Sequence, residues 1–184
     1  VLGGALTGVL VLVLTPTGQR LAEITDNWSA LRVVVLTVGL PEEAVKGLAA
    51  LIAILLFRLI GRSATPAEAF QACLFAAIGF AVVENALYAK AFAEASLLIA
   101  FGRGIIASFI HSRMMMIQGS FMARFVATGW RRWHLPVIGW LLASAAQGGF
   151  DWGMLKPLAE YFATKSIQPA TIVAAMPILL IGLP

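Results

Sequence analysis

A small set of side chains in this sequence can do chemistry that their surroundings cannot. Glu42, Glu43 and Lys46 lie close together, Glu84 is followed by Asn85, His111 stands alone, and Gln147 and Asp151 are four residues apart. All of them lie in or beside long apolar runs. If those runs cross a bilayer, a charge near its centre costs at least about 2.5 to 3.5 kcal/mol on insertion scales, so an acid placed there is a functional candidate by default. The chemistry open to such a set is titration and proton transfer. Glu42 and Glu43 are adjacent, so on a helix they point about 100° apart and serve two different roles. Lys46 lies four residues after the first and three after the second, within reach of either. It can neutralise one carboxylate and leave the other to titrate.

Each of these residues also has a plainer reading. Glu42 with Lys46 could be a structural ion pair, His111 a hydrogen-bonded core histidine, and Asp151 an interfacial acid. Against this stands their number: four separate apolar runs each contribute polar groups. Met114-Met115-Met116 is ordinary packing, and so is the single cysteine, Cys73, which offers neither a disulfide framework nor a cysteine-rich metal site. Arg113, two residues from His111, must pair with an acid or face water.

The elements that carry these groups follow from composition. Of 184 residues, 60% are hydrophobic and 12% charged, with mean hydropathy +0.91, against roughly 45–50% and 25% in soluble domains. At about 20 residues per span there is room for about six spanning helices and no separate aqueous domain. The expectation is therefore an all-α, polytopic transmembrane bundle of six spans, with more if the start is truncated, forming a single domain over 1–184. The runs are Leu2 to Leu14, about Trp28 to Leu59, Pro66 to Tyr88, Ser96 to Phe125, Leu135 to Met154, and Ile167 to Leu183. The polar groups come from the spans around 29–59, 66–88, 96–125 and 135–155. Pro41 should kink the second run just before Glu42. Thr65, Pro66 and Glu68 form a capping-box start for the third. Gly148 and Gly149 permit close approach of another backbone. Counting about 1.5 Å of rise per residue puts Glu43, Glu84, His111, Gln147 and Asp151 in one layer between the midplane and one surface, which points to a single buried site.

The net charge of +4 and pI near 9.7 reflect membrane orientation rather than nucleic-acid binding, because the basic residues sit in short loops. Arg58 and Arg62 follow the second run, and Arg124, Arg131 and Arg132 follow the fourth, with no acid close beside them. The positive-inside rule sets both loops, and with them both termini, on the cytoplasmic side. The other loops hold Arg20, Lys90, Lys156 and Lys165 mixed with Glu23, Asp26, Glu94 and Glu160. Trp28, Trp130, Trp133 and Tyr161 mark span ends, where aromatic rings favour the headgroup region.

Taken in order, these pieces resemble the PrsW-like intramembrane proteases, a bacterial and archaeal group related to the CAAX-processing and bacteriocin-processing membrane proteases. Pro41-Glu42-Glu43-Ala44-Val45-Lys46 is similar to the family's Glu-Glu-x-x-Lys signature. Gly79-Phe80-Ala81-Val82-Val83-Glu84-Asn85-Ala86-Leu87-Tyr88 is similar to its Gly-Phe-x-x-x-Glu-Asn block. His111 fits a third motif and Gln147-Gly148-Gly149-Phe150-Asp151 a fourth, except that Gln147 stands where the family usually has histidine.

The resemblance implies an endopeptidase of a prokaryotic inner membrane, cutting a membrane-protein or membrane-anchored peptide substrate within or beside the bilayer, with site-1-type cleavage among the options. It implies that one of Glu42 and Glu43 activates water with His111, Glu43 being favoured, while Lys46 holds the other. Glu84 would orient the water, or ligate zinc together with Glu43 and His111, whose ligand types are acceptable for that metal. Asn85, Gln147 and Asp151 would complete the oxyanion and supporting hydrogen bonds. Glutamine can donate a hydrogen bond but is a poor metal ligand and no base at neutral pH. Two rivals follow: a catalytically weakened relative that binds membrane partners through the same cavity, and a small ion or proton transporter, since acids and histidines in spans also build relays.

Overall fold

The computed structural model describes residues 24, 26–91 and 96–164, with side chains described outside 88–107 and 154–164, and every regular element among them is a helix. Helix α1 (Asn27–Val34) passes through a π-helical stretch (Val35–Gly39) into α2 (Leu40–Leu59), followed by α3 (Pro66–Ala91), α4 (Ser96–Ala127) and α5 (His134–Thr164). The runs expected at Leu2 to Leu14 and Ile167 to Leu183 lie outside the described residues. The middle four runs are helical where expected. Helix α5 is longer than its apolar run and carries Lys156 and Glu160 on helix rather than in a loop, as α3 carries Lys90. Leu155, Lys156, Leu158, Ala159 and Glu160 are strong helix formers, so the helix continues where apolarity stops.

Helix ends follow local chemistry. The Asp26 carboxylate accepts from the Ser29 N–H at 2.7 Å and caps α1. At α3 the expected box is present: the Thr65 N–H donates to Glu68 Oε2 at 2.8 Å, and the Glu68 N–H donates to Thr65 Oγ1 at 3.2 Å. Arg62 adds a two-pronged contact to the same carboxylate, at 3.1 and 2.6 Å. Two helices stop through left-handed residues. Gly61, at φ +80°, ends α2, with the Arg62 N–H reaching back to the Phe57 carbonyl at 3.1 Å. Gly129 and Trp130, at φ +62° and +68°, end α4 in the same way, Trp130 N–H to Phe125 carbonyl at 3.1 Å. Trp130 is the single non-glycine residue with positive φ among the described residues.

Pro41 acts differently from a simple kink. It lies in the first turn of α2, and the irregularity is absorbed by the five π-helical residues before it. Proline has no N–H to donate, so the turn that should have used it widens. The Leu40 N–H bonds the Val35 carbonyl, five residues back, and the Thr37 hydroxyl donates to the Val33 carbonyl at 2.7 Å.

The helices fall into two compact units, Glu42–Ala143 and the pair of segments Val1–Pro41 and Ser144–Pro184. In the Glu42–Ala143 unit a core of small and apolar residues, including Ala50, Ile54, Ala69, Cys73, Ala77, Met115 and Phe125, packs α2, α3 and α4 together. Large apolar side chains face outward: Leu48, Ile52, Leu56, Phe75, Ile78, Val82 and Leu141 are exposed, while Glu43, Lys46, Glu84, His111 and Gln118 are buried. That inversion is unfavourable in water and favourable in lipid. Pro66–Leu87 is long and apolar enough to cross a membrane, and only 28% of its apolar window is buried. Arg58, at the end of α2, stacks its guanidinium over Trp130 at 4.3 Å, so the two arginine-bearing turns share one end of this unit.

In the other unit, backbone meets backbone. A Cβ on Gly148 of α5 would come within 2.6 Å of the Val35 Cα, and one on Gly39 would strike the Ser144 carbonyl. Ser144 and Gly148 are four apart, the small-xxx-small spacing that lets membrane helices approach closely.

Candidate active site

The site begins with how three helices present their side chains. On α2, residues three apart share a face, so Lys46 lies over Glu43, and the two form a buried ion pair. Its ammonium also reaches Nδ1 of His111 on α4 at 3.1 Å, and Nε2 of the same ring meets Glu84 Oε2 on α3 at 2.9 Å. Glu43, Lys46, His111 and Glu84 are each at most 4% exposed. Residues distant in sequence thus form one continuous chain: carboxylate, ammonium, imidazole, carboxylate.

Donor inventory sets the protons in this chain. A lysine ammonium can only donate, so Nδ1 of His111 must accept, which leaves the imidazole proton on Nε2, where it donates to the Glu84 carboxylate. With Lys46 as an ammonium, the ring is contacted at both nitrogens in one tautomer. Burial makes every link stronger than it would be in water, because the surroundings have low dielectric.

Glu42 is buried on the same turn as Glu43. Lys46 is paired with Glu43, and a carboxylate clamped by an ammonium is engaged in holding that ammonium. Asn85 is half-buried, and its Oδ1 has no hydrogen-bond partner among the described residues. In the other unit, the Gln147 Nε2 donates to Asp151 Oδ2 at 2.9 Å. That bond orients the amide with its nitrogen toward Asp151, occupying one of two N–H groups and leaving the other to donate elsewhere. Arg113 is half-buried, its guanidinium 5.5 Å from the Phe109 ring centre.

Zinc is the metal that the ligand types suggest. Glu43, Glu84 and His111 supply suitable atoms, but their arrangement does not suit the ion. The Lys46 ammonium contacts both Glu43 and His111, and the second ring nitrogen is committed to Glu84. Among the described residues no three His, Cys, Asp or Glu side chains are grouped to hold a metal.

Two residues without an assigned role in the sequence belong to this region. Phe80, one turn before Glu84, sits edge-on to the His111 ring with centroids 5.2 Å apart, and the Lys46 nitrogen lies 4.8 Å from its centre. Gln118, two turns after His111 on α4, is buried against Gly47, where a Cβ would collide with its amide. Its Oε1 has no hydrogen-bond partner among the described residues. The signal for Gln118 was its spacing of seven from His111, which puts both on one helix face.

The family model described as PrsW family intramembrane metalloprotease matches residues 1–181 of the chain. No curated protein and no solved structure matches it.

Proposed function

The chain belongs to the PrsW family of intramembrane metalloproteases, and on that premise we propose that it is a multi-pass endopeptidase of a prokaryotic inner membrane that hydrolyses a peptide bond in a membrane-protein or membrane-anchored substrate. The observation that carries the proposal is the buried chain Glu43–Lys46–His111–Glu84. A soluble core does not assemble two carboxylates, an ammonium and an imidazole with apolar side chains turned outward. Such a group is costly in a bilayer and is kept for work.

Glu43 has the supporting role on α2, holding the lysine that in turn holds His111. Glu42, about 100° around the helix, is then the base that takes a proton from water. The water oxygen adds to the scissile carbonyl carbon. The amide N–H of Asn85 is the candidate to hold the resulting oxyanion. Collapse breaks the C–N bond as the proton passes from Glu42 to the leaving amine, giving an amine and a carboxylic acid that then ionises. His111, with both ring nitrogens engaged, holds Lys46 and Glu84 in place around the site and responds to the charge change through them. The arginine-bearing turns face the cytoplasm, and lipid covers the outward apolar side chains.

The test is cleavage by purified protein in liposomes, against a pool of single-span membrane proteins with and without added zinc. Wild type should cut, and Glu42→Gln and His111→Ala should each lose about 100-fold or more of the rate. Gln147→His should cut at least as well as wild type, since histidine restores the family's usual residue. If neither wild type nor Gln147→His cuts any substrate under either condition, the protease reading fails and a binding role takes its place.

A further inference from the structure

The ring of Phe80 touches both groups whose mutual placement the proposed reaction depends on. Its helix, α3, also carries Glu84 four residues later, one turn along the same face. From that face α3 supplies two things: a carboxylate for Nε2 of His111, and an aromatic ring for the residues on the other side of the imidazole. The Lys46 nitrogen lies 4.8 Å from the ring centre, well inside the range over which an ammonium is drawn to a π face. His111 stands to the same ring at 5.2 Å and 71°, an edge-to-face arrangement. Phe80 is buried.

Because Lys46 comes from α2 and His111 from α4, nothing in either helix sets the distance between them. A lysine stem has many rotamers, and a buried ammonium will turn toward whichever acceptor is nearest. The ring restricts that choice by giving the ammonium a second attraction on one side. An imidazole can likewise rotate about its χ2 axis and exchange the positions of its two nitrogens, and an aromatic wall at 71° resists the rotation.

We infer that Phe80 is a positioning residue of the proposed protease, fixing the Lys46 ammonium and the His111 ring against one another so that Nδ1 accepts and Nε2 carries the proton. The inference rests on the protease reading for its kinetic consequence and on the geometry alone for its structural one. Phe80 itself touches no reacting atom.

The experiment has two arms. In the first, Phe80 is replaced by leucine and, separately, by phenylalanines carrying one, two and three ring fluorines, which keep the shape and progressively weaken the negative π face. Cleavage is measured as kcat and KM. The expected result is a kcat that falls stepwise with fluorine number and about tenfold in Phe80→Leu, with KM unchanged. Equal kcat across the fluorine series overturns the inference while leaving the protease intact. In the second arm, nitrogen NMR of labelled histidine reads the His111 tautomer in wild type, Phe80→Leu and the trifluoro variant. Wild type should show the Nε2–H form, and the variants a mixture of forms. A His111 signal unchanged in both variants overturns the inference even if no substrate is ever cut, whereas absence of wild-type cleavage with a shifted signal removes only the protease reading.

Discussion

Lys46 and His111, 65 residues apart in sequence, meet with the lysine nitrogen 3.1 Å from Nδ1 of the ring, and the same ammonium pairs with Glu43. One cation therefore joins two helices through two acceptors, and neither acceptor can be removed without leaving the charge under-compensated inside the protein.

Stability should follow from that arrangement before activity does. Breaking a buried ion pair from one side typically costs about 3 to 5 kcal/mol, since the remaining charge stays buried. Glu43→Gln and Lys46→Met are each expected to lose about that much, measured as unfolding free energy in detergent micelles. The double variant should lose clearly less than the sum, because an uncharged pair leaves no orphan charge. Additive losses would mean that the two residues do not act on one another.

Close backbone packing in the Val1–Pro41 and Ser144–Pro184 unit gives a second expectation. Gly148 faces Val35 with no room for a side chain, a Cβ there lying 2.6 Å from the Val35 Cα and 3.0 Å from its nitrogen. Neither of those atoms is the movable end of a side chain, so the backbone itself must shift. Gly148→Ala should destabilise by about 1 to 3 kcal/mol and Gly148→Val by more, read from thermal unfolding. Gly79, beside which nothing lies within 4 Å, serves as the control, and Gly79→Ala should leave the melting temperature unchanged or raise it slightly through helix propensity.

These cases show what sequence spacing can and cannot carry. The capping box at Thr65 and Glu68, the small-residue approach at Gly148 and the reach of Lys46 to either glutamate are local, set by helix geometry within a few residues. They were legible for that reason. That the same lysine also meets His111 on another helix is information that no spacing within α2 contains. Pro41 announces a missing N–H but not the way the chain absorbs it, in a π-helical stretch upstream. Trp130 is a poor candidate by type for a left-handed backbone. Its conformation is explained by tertiary contacts: its ring lies under Arg58 and 5.0 Å from Phe125.

The entry to α1 should respond to acid. Hydrogen bonds from the Ser29 side chain and then from its N–H hold the Asp26 carboxyl below the ordinary carboxylate range. A carboxyl more acidic when folded than when unfolded contributes stability above its unfolded value, and that contribution is lost as pH falls through the folded value. Protection of the Ser29 amide, its exchange rate relative to the intrinsic rate at each pH, should therefore hold above about pH 4 and fall below it, as Asp26 takes up its proton. In Asp26→Asn that protection should not change over the same interval, since the amide caps without titrating. Equal acid sensitivity in the two proteins would show that the cap does not govern the helix start.

Orientation is the remaining expectation, and the contact of Arg58 with Trp130 sharpens it. Because that contact joins the α2–α3 turn to the α4–α5 turn within one unit, both must lie on one side of the membrane, whichever side that is. The positive-inside rule then selects the cytoplasm, with Arg58, Arg62, Arg124, Arg131 and Arg132 all at that end. Cys73 is buried, so it should resist a membrane-impermeant maleimide, and Cys73→Ala provides a background free of cysteine. In that background Ser63→Cys and Arg131→Cys, both at exposed positions, should label in inverted membrane vesicles and stay unlabelled in intact cells. Labelling of the two from opposite sides would contradict the Arg58–Trp130 contact itself. Labelling of both from outside would keep the contact and reverse the orientation, placing the arginine-bearing turns against the rule that charge bias in short loops sets topology.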